Sequence, residues 1–197
     1  MAIEVLRLLS TFENIKDRES ETAFFCTHIP QAGSLAYLNI VFKPAAPDVL
    51  RRVAGQLRMP AVLAEFLNVQ NGAILFCGTL SIYGVHRSGQ LLNRTDPFSD
   101  LPFNIEEENR NWPPPDSTRF LVIGGYSFDG SIVCIDRRDG SLSLFGRGQR
   151  RILPAPLFKW PSLQVWVTTE IARLSVLFDR QGTRLVDESQ TVPQSAH

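Results

Sequence analysis

The 197-residue chain has few of the residues that most often carry catalysis or covalent cross-links, with three cysteines and three histidines. Cys26, Cys77 and Cys134 lie far apart, and an odd, sparse set of this kind suits reduced thiols rather than a disulfide framework. His28 and His86 have no neighbours at metal-ligand spacing and His197 is terminal, so no metal site is expected. No apolar run approaches the ~18 to 20 residues needed to span a bilayer. The opening MAIEVLRLLSTF carries an acid at Glu4 and no small-residue cleavage site, unlike a secretory leader. Net charge is zero, with 20 basic and 20 acidic residues, which excludes a globally basic nucleic-acid binder. These absences lead us to expect a cytoplasmic protein with no cofactor, no membrane contact and no direct nucleic-acid contact.

What is present suits an ordinary globular chain, 44% hydrophobic with 13 Gly, 13 Pro and 13 Phe. A chain of this length buries roughly 70% of its unfolded surface, enough for one core. One domain is expected over residues 1–185, followed by a polar tail, 186–197, that frays. Residues 3–12 suit a strand or a short helix, and 13–21 a loop or a solvated helix. Aromatic and β-branched runs at 23–26 and 35–42, joined through Pro30-Gln31-Ala32-Gly33, read as a hairpin. A helix is predicted over 48–57, with Val49, Leu50, Val53 and Leu57 on one face. A second is predicted from Pro60 to Val69, stopped by Asn71-Gly72 with Gly72 in the left-handed C-terminal position. Residues 73–84 return to strand in two pieces, while 86–116 are polar and irregular. Strands are predicted at 120–125, 131–136 and 141–145, the last two joined across Asp139-Gly140. Ser162 caps a final helix bearing Leu163, Trp166, Ile171, Leu174 and Phe178. The order implies an α+β fold with a central, mostly antiparallel sheet flanked by helices, not βαβ alternation.

Few residues point to catalysis. No nucleophile-elbow pattern is present. Gly124-Gly125-Tyr126-Ser127-Phe128-Asp129-Gly130 follows a strand but lacks the Gly-Lys-Ser/Thr ending of a phosphate loop, and a strand follows it. It reads as a tight turn with a surface aromatic. Charge is uneven locally. Residues 96–116 hold Asp96, Asp100, Glu106, Glu107, Glu108 and Asp116 against Arg110, a net of −5. Residues 137–159 hold Arg137, Arg138, Arg147, Arg150, Arg151 and Lys159 against Asp139, a net of +5. Such segments are either solvated or mutually facing surfaces, or a patch that steers a partner. Trp112, beside Pro113-Pro114-Pro115, suits a core or loop-anchoring residue and, if exposed, a binding anchor. The candidate partner-binding set is therefore the six acids with Trp112 and the turn residues Tyr126, Phe128 and Asp129.

Leu63-Ala64-Glu65-Phe66-Leu67 running into Gln70-Asn71-Gly72-Ala73, then Leu80-Ser81-Ile82-Tyr83-Gly84, resembles the front half of the SMI1/KNR4 family of the SUKH superfamily. The later run 120–124 with Gly130 and residues 132–136 looks like that family's strand, Gly-rich turn and strand ending in Asp. Ser162-Leu163 to Trp166 is similar to its closing helix. The likeness covers about residues 58–178, with the preceding residues as an N-terminal extension. It implies an α+β fold, no enzyme and no catalytic residues. Bacterial members are largely immunity proteins that bind and neutralise a cognate toxin, often a nuclease or deaminase; fungal members act as interaction scaffolds in cell-wall and stress signalling. The expected function is accordingly a toxin-binding immunity protein, with a general scaffold as the alternative. A neutral chain departs from the acidic character expected of an inhibitor of a basic nuclease, so residues 96–116 are expected to supply the negative face. A deep pocket with converging polar groups would favour an enzyme instead.

Overall fold

The structure, a computed structural model, describes residues 4–10, 16–33, 36–86, 101–146, 155–179 and 181–193. It opens with α1 (Val5–Ser10), β1 (Lys16–Glu19), β2 (Ala23–His28) and β3 (Tyr37–Phe42). Next come α2 (Pro47–Leu57), α3 (Ala61–Val69), β4 (Ala73–Leu75), β5 (Leu80–Ile82), α4 (Ile105–Asn111) and β6 (Phe120–Tyr126). The last regular elements are β7 (Ile132–Asp136), β8 (Leu142–Phe145), β9 (Phe158–Trp160) and α5 (Leu163–Ser175), with a 3-10 turn at Glu188–Thr191. Among the described residues, nine strands form one sheet in chain order, and each neighbouring pair is antiparallel. The chain is thus mixed α and β on an antiparallel sheet.

Sequence explains most of these elements. Pro47 opens α2, where its missing N–H costs nothing, and Val49, Leu50 and Val53 are the buried face. Leu63, Phe66 and Leu67 anchor α3. The Ser162 hydroxyl accepts from the Val165 amide at 3.2 Å and starts α5, which buries Leu163, Trp166, Val167, Ile171 and Leu174. These side chains and the inward residues of the sheet make one core, while Ala23, Phe25, Ile40 and Phe42 form a smaller cluster on β2 and β3. Cys26 and Cys134 are buried and Cys77 exposed, all as free thiols. Among the described residues no helix is long and apolar enough to cross a membrane.

Four expectations change. Lys16–Glu19, taken as loop or helix, is an exposed strand held by pairing with β2 and by Glu19 between Lys16 and Lys43, at 2.5 and 2.6 Å. Gly72 does not cap α3, because the helix already ends at Gln70 in extended conformation (φ −154°). Gly72 (φ +87°) instead lets the chain press against the backbone of β5, where a Cβ would collide with the Ile82 carbonyl. Beside it the Asn71 side chain acts as an extra ladder rung, donating to the Val85 carbonyl at 2.9 Å and accepting from the Val85 amide at 2.8 Å. Phe178 lies beyond the end of α5 but still packs on Phe76, with ring centroids 5.5 Å apart. The segment expected to fray is docked as far as residue 193. Thr191 and Val192 are buried, and Arg173 donates to the carbonyls of Gln190 and Thr191 at 3.1 and 2.7 Å.

Candidate functional site

Residues 86–116, expected to be irregular, contain α4. Its sequence, IEEENRN, has one apolar anchor, the buried Ile105, and so carries no hydrophobic stripe. Polar groups hold it. The Asn104 side chain caps it by accepting from the Glu106 amide at 3.0 Å, and three glutamates in its first turn suit the positive end of the helix. The lead-in is tied to the chain after β5: the Gly84 amide donates to the Phe103 carbonyl at 2.9 Å and the Ile105 amide to the Gly84 carbonyl at 2.8 Å. Buried His86 sits with Nε2 2.5 Å from the Pro102 carbonyl. Asn109 clamps the helix to β6, donating to the Val122 carbonyl at 2.8 Å and accepting from the Val122 amide at 2.9 Å.

Consecutive helical residues point about 100° apart, so the three glutamates cannot share one face. Glu106 is gripped by Arg52 of α2 through two contacts of 3.0 Å. Glu107 is exposed. Glu108 is half-buried, and no hydrogen-bond or ion-pair partner meets its carboxylate among the described residues. Burial, aided by the neighbouring Glu107, pushes its carboxyl above the ordinary glutamate value.

Glu108 faces a cavity of about 260 Å³ between α4, the Pro113–Pro115 run and strands β5 to β8. Its walls include the aromatic side chains Tyr83, Phe103, Trp112 and Phe145 beside glycines, serines and prolines. Tyr83 and Phe103 contact at 5.9 Å between ring centroids. The floor is set by two glycines on β6 that face opposite sides of the sheet. A Cβ on Gly124 would stand 3.0 Å from Trp166 of α5, whereas one on Gly125 would stand 3.2 Å from the Tyr83 hydroxyl and 2.7 Å from the Ser131 carbonyl. Gly125 therefore keeps the cavity side clear. Two polar groups in the wall have no hydrogen-bond partner among the described residues, the Glu108 carboxylate and the Tyr83 hydroxyl, and behind the wall Ser131 Oγ is buried without one. Ser131 is 1% exposed and Tyr83 8%. Burial first, and then the Glu108 charge, raise the Tyr83 phenol well above its usual range. Among the described residues Ser131 has no base in hydrogen-bond reach, which a nucleophilic serine needs. In the wider hollow of about 660 Å³ on the other side of α4, Arg137 in the wall donates to the carbonyls of Leu57, Ser117 and Phe120.

The predicted site residues meet different fates. Trp112, read first as a core or loop anchor, is 38% exposed at the cavity rim. Phe128 is 47% exposed in the β6–β7 turn, so the expected tight turn with a surface aromatic is present. Phe103, Trp112 and Phe128 are the exposed aromatic residues among those described; the first two line this opening, and Phe128 lies in the turn whose Ser127 and Gly130 line it. Tyr126 is not a surface residue: it is 2% exposed, and its hydroxyl donates to Glu170 at 2.8 Å on the α5 side. Asp129 shapes its turn by accepting from the Ser131 amide at 2.8 Å. Asp116 accepts from the Thr118 hydroxyl and amide at 2.6 and 2.9 Å, contacts that hold its carboxyl below the usual value. Asp96, Asp100, Arg147, Arg150 and Arg151 lie outside the described residues. Among the described residues, Asp116 of the acidic segment lies within electrostatic reach of Arg137 and Arg138 of the basic one, while Glu106 goes to Arg52. His28 lies away from the cavity, its ring against Tyr37 at 5.3 Å.

Sequence reasoning missed Tyr83, Phe103, Gly125 and Ser131 as site residues. Compared with known protein families the chain matches no family model, and a search of the curated proteins returns no match.

Proposed function

We infer that this chain is a non-catalytic protein-binding domain of the SMI1/KNR4 type that binds and neutralises a cognate bacterial toxin. One observation carries the binding reading: Phe103 and Trp112 are exposed where they line one opening, and exposed Phe128 sits in the turn whose Ser127 and Gly130 also line it. Solvent-exposed aromatics grouped around a pocket are the usual anchors of protein interfaces. The motif order from Leu63 to Trp166 supports the family, and the family supports the toxin partner. Among the described acids of the run, the negative contribution rests on Glu107 and Glu108, because Glu106 and Asp116 serve the fold.

Co-expression with each toxin-like neighbour encoded beside its gene tests this reading. Growth rescue with a co-purified complex is expected. The double variant Trp112→Ala/Phe128→Ala should lose both while its melting temperature holds. Failure with every neighbour that is toxic alone would turn the assignment toward the scaffold alternative.

A further inference from the structure

We propose that the cavity under α4 is a receptor for one arginine side chain of the partner protein, with Glu108 as its counter-ion and Tyr83, Phe103 and Trp112 as its walls. The proposal rests on the protein-binding reading above. It is drawn from what the cavity leaves unfinished.

Among the described residues Glu108 is half-buried without a cation or donor, while each of the other described acids on and next to α4 is either paired or in water. The Tyr83 hydroxyl shares the cavity wall, also without a hydrogen-bond partner among the described residues. An apolar occupant would bury both unsatisfied and leave the carboxylate uncompensated. A cation satisfies the carboxylate, and the faces of Tyr83, Phe103 and Trp112 favour a positive charge. Among cations, a guanidinium fits this wall best. It is planar, stacks on aromatic rings and carries five N–H donors that can reach several oxygens at once, whereas an ammonium is a compact and more strongly hydrated point charge. Gly125 supplies the depth, since any side chain there would occupy the space beside the Tyr83 hydroxyl. The source is a protein because the exposed aromatics and Glu107 extend the recognition surface beyond the cavity mouth, where a small cation would leave them unused.

The test titrates the full chain, labelled with ¹⁵N, with capped arginine amide, capped lysine amide, capped norleucine amide and free arginine. Saturable shifts of Gly125, Ser131, Ile132 and the Trp112 indole are expected with capped arginine amide, weaker ones with the lysine compound and none with norleucine. Glu108→Gln should weaken arginine binding on the order of 30-fold, as expected when a desolvated charge pair loses one member. Tyr83→Phe should weaken it several-fold with the fold intact. No saturable shift up to millimolar ligand, equal binding of norleucine, or unchanged binding by Glu108→Gln would overturn the arginine receptor. Free arginine binding more tightly than the capped amide would overturn it by marking an amino-acid site. In the toxin assay, a partner that binds Glu108→Gln as well as wild type sinks this proposal and leaves the protein-binding reading standing. The absence of any partner sinks that reading while the titration still reports on the cavity.

Discussion

The two sides of β6 treat a buried carboxylate in opposite ways. On the α5 side, Glu170 is 3% exposed and fully engaged: it accepts from the Tyr126 hydroxyl at 2.8 Å and is held by Arg173 at 2.6 Å. Arg173 passes the restraint on to the carbonyls of Gln190 and Thr191, so one ion pair ties helix, sheet and C-terminal segment together. On the α4 side, Glu108 is half-buried with no cation or donor against it among the described residues. Its neighbours Tyr83 and Ser131 are equally unanswered. A charge that is buried and paired specifies a structure, whereas one that is buried and left open costs stability and keeps a place for something else.

The contrast can be broken most forcefully on its paired side. Glu170→Ala strands the Arg173 guanidinium and the Tyr126 hydroxyl, and should cost about 3 to 5 kcal/mol in urea unfolding. Protection of the amides around Thr191 should fall with it. Next in size is Asn109→Ala, which removes three hydrogen bonds between α4, Ile105 and Val122 and should cost about 2 to 3 kcal/mol. Hydrogen exchange at Val122 is its direct readout, because that amide loses its acceptor.

On the open side the same kind of change should cost almost nothing. Ser131→Ala deletes a buried hydroxyl that satisfies no partner, and its unfolding midpoint should stay within about 0.5 kcal/mol of wild type or rise. Glu108→Gln should raise the melting temperature slightly at neutral pH. The sign follows from linkage: burial raises the folded carboxyl, so the native state holds its proton more tightly than the unfolded chain. Wild-type stability therefore falls as pH rises through the interval between the unfolded value and the raised folded one. Below that interval both forms are neutral and the advantage of Gln disappears. A Gln variant that is less stable than wild type at neutral pH would mean that Glu108 is engaged after all.

The contrast also marks what could be read from residues alone. The β2–β3 hairpin, α2, α3, the turn at Asp139-Gly140 and the Ser162 cap were legible because each rests on a periodic apolar run or a local side-chain signal. Asp139 accepting from the Ser141 amide at 2.8 Å is such a signal. β1 was not legible, since four charged residues in an edge strand carry no alternation. Nor was α4, where one isoleucine and two asparagines replace a hydrophobic stripe. β9 is too short, at three residues, to announce itself. At the site, Glu108 and Trp112 were visible as residue types within an acidic, proline-flanked segment. Tyr83, Gly125 and Ser131 were not, because sheet pairing brings them together: β5 lies beside β6 with Ser81 opposite Gly125, and β6 beside β7 with Gly125 opposite Ile132. Nothing in a linear reading places Tyr83 under a helix that begins more than 20 residues later.

Strand order that follows chain order has a further consequence for how the molecule is made. Each strand pairs with the one synthesised just before it, so the sheet can lengthen from its β1 edge as the chain leaves the ribosome, with no strand waiting for a distant partner. By the time Phe145 has emerged, every element of the cavity wall is in the nascent chain. Glu170 and Arg173, which fasten the opposite side, arrive some 25 residues later.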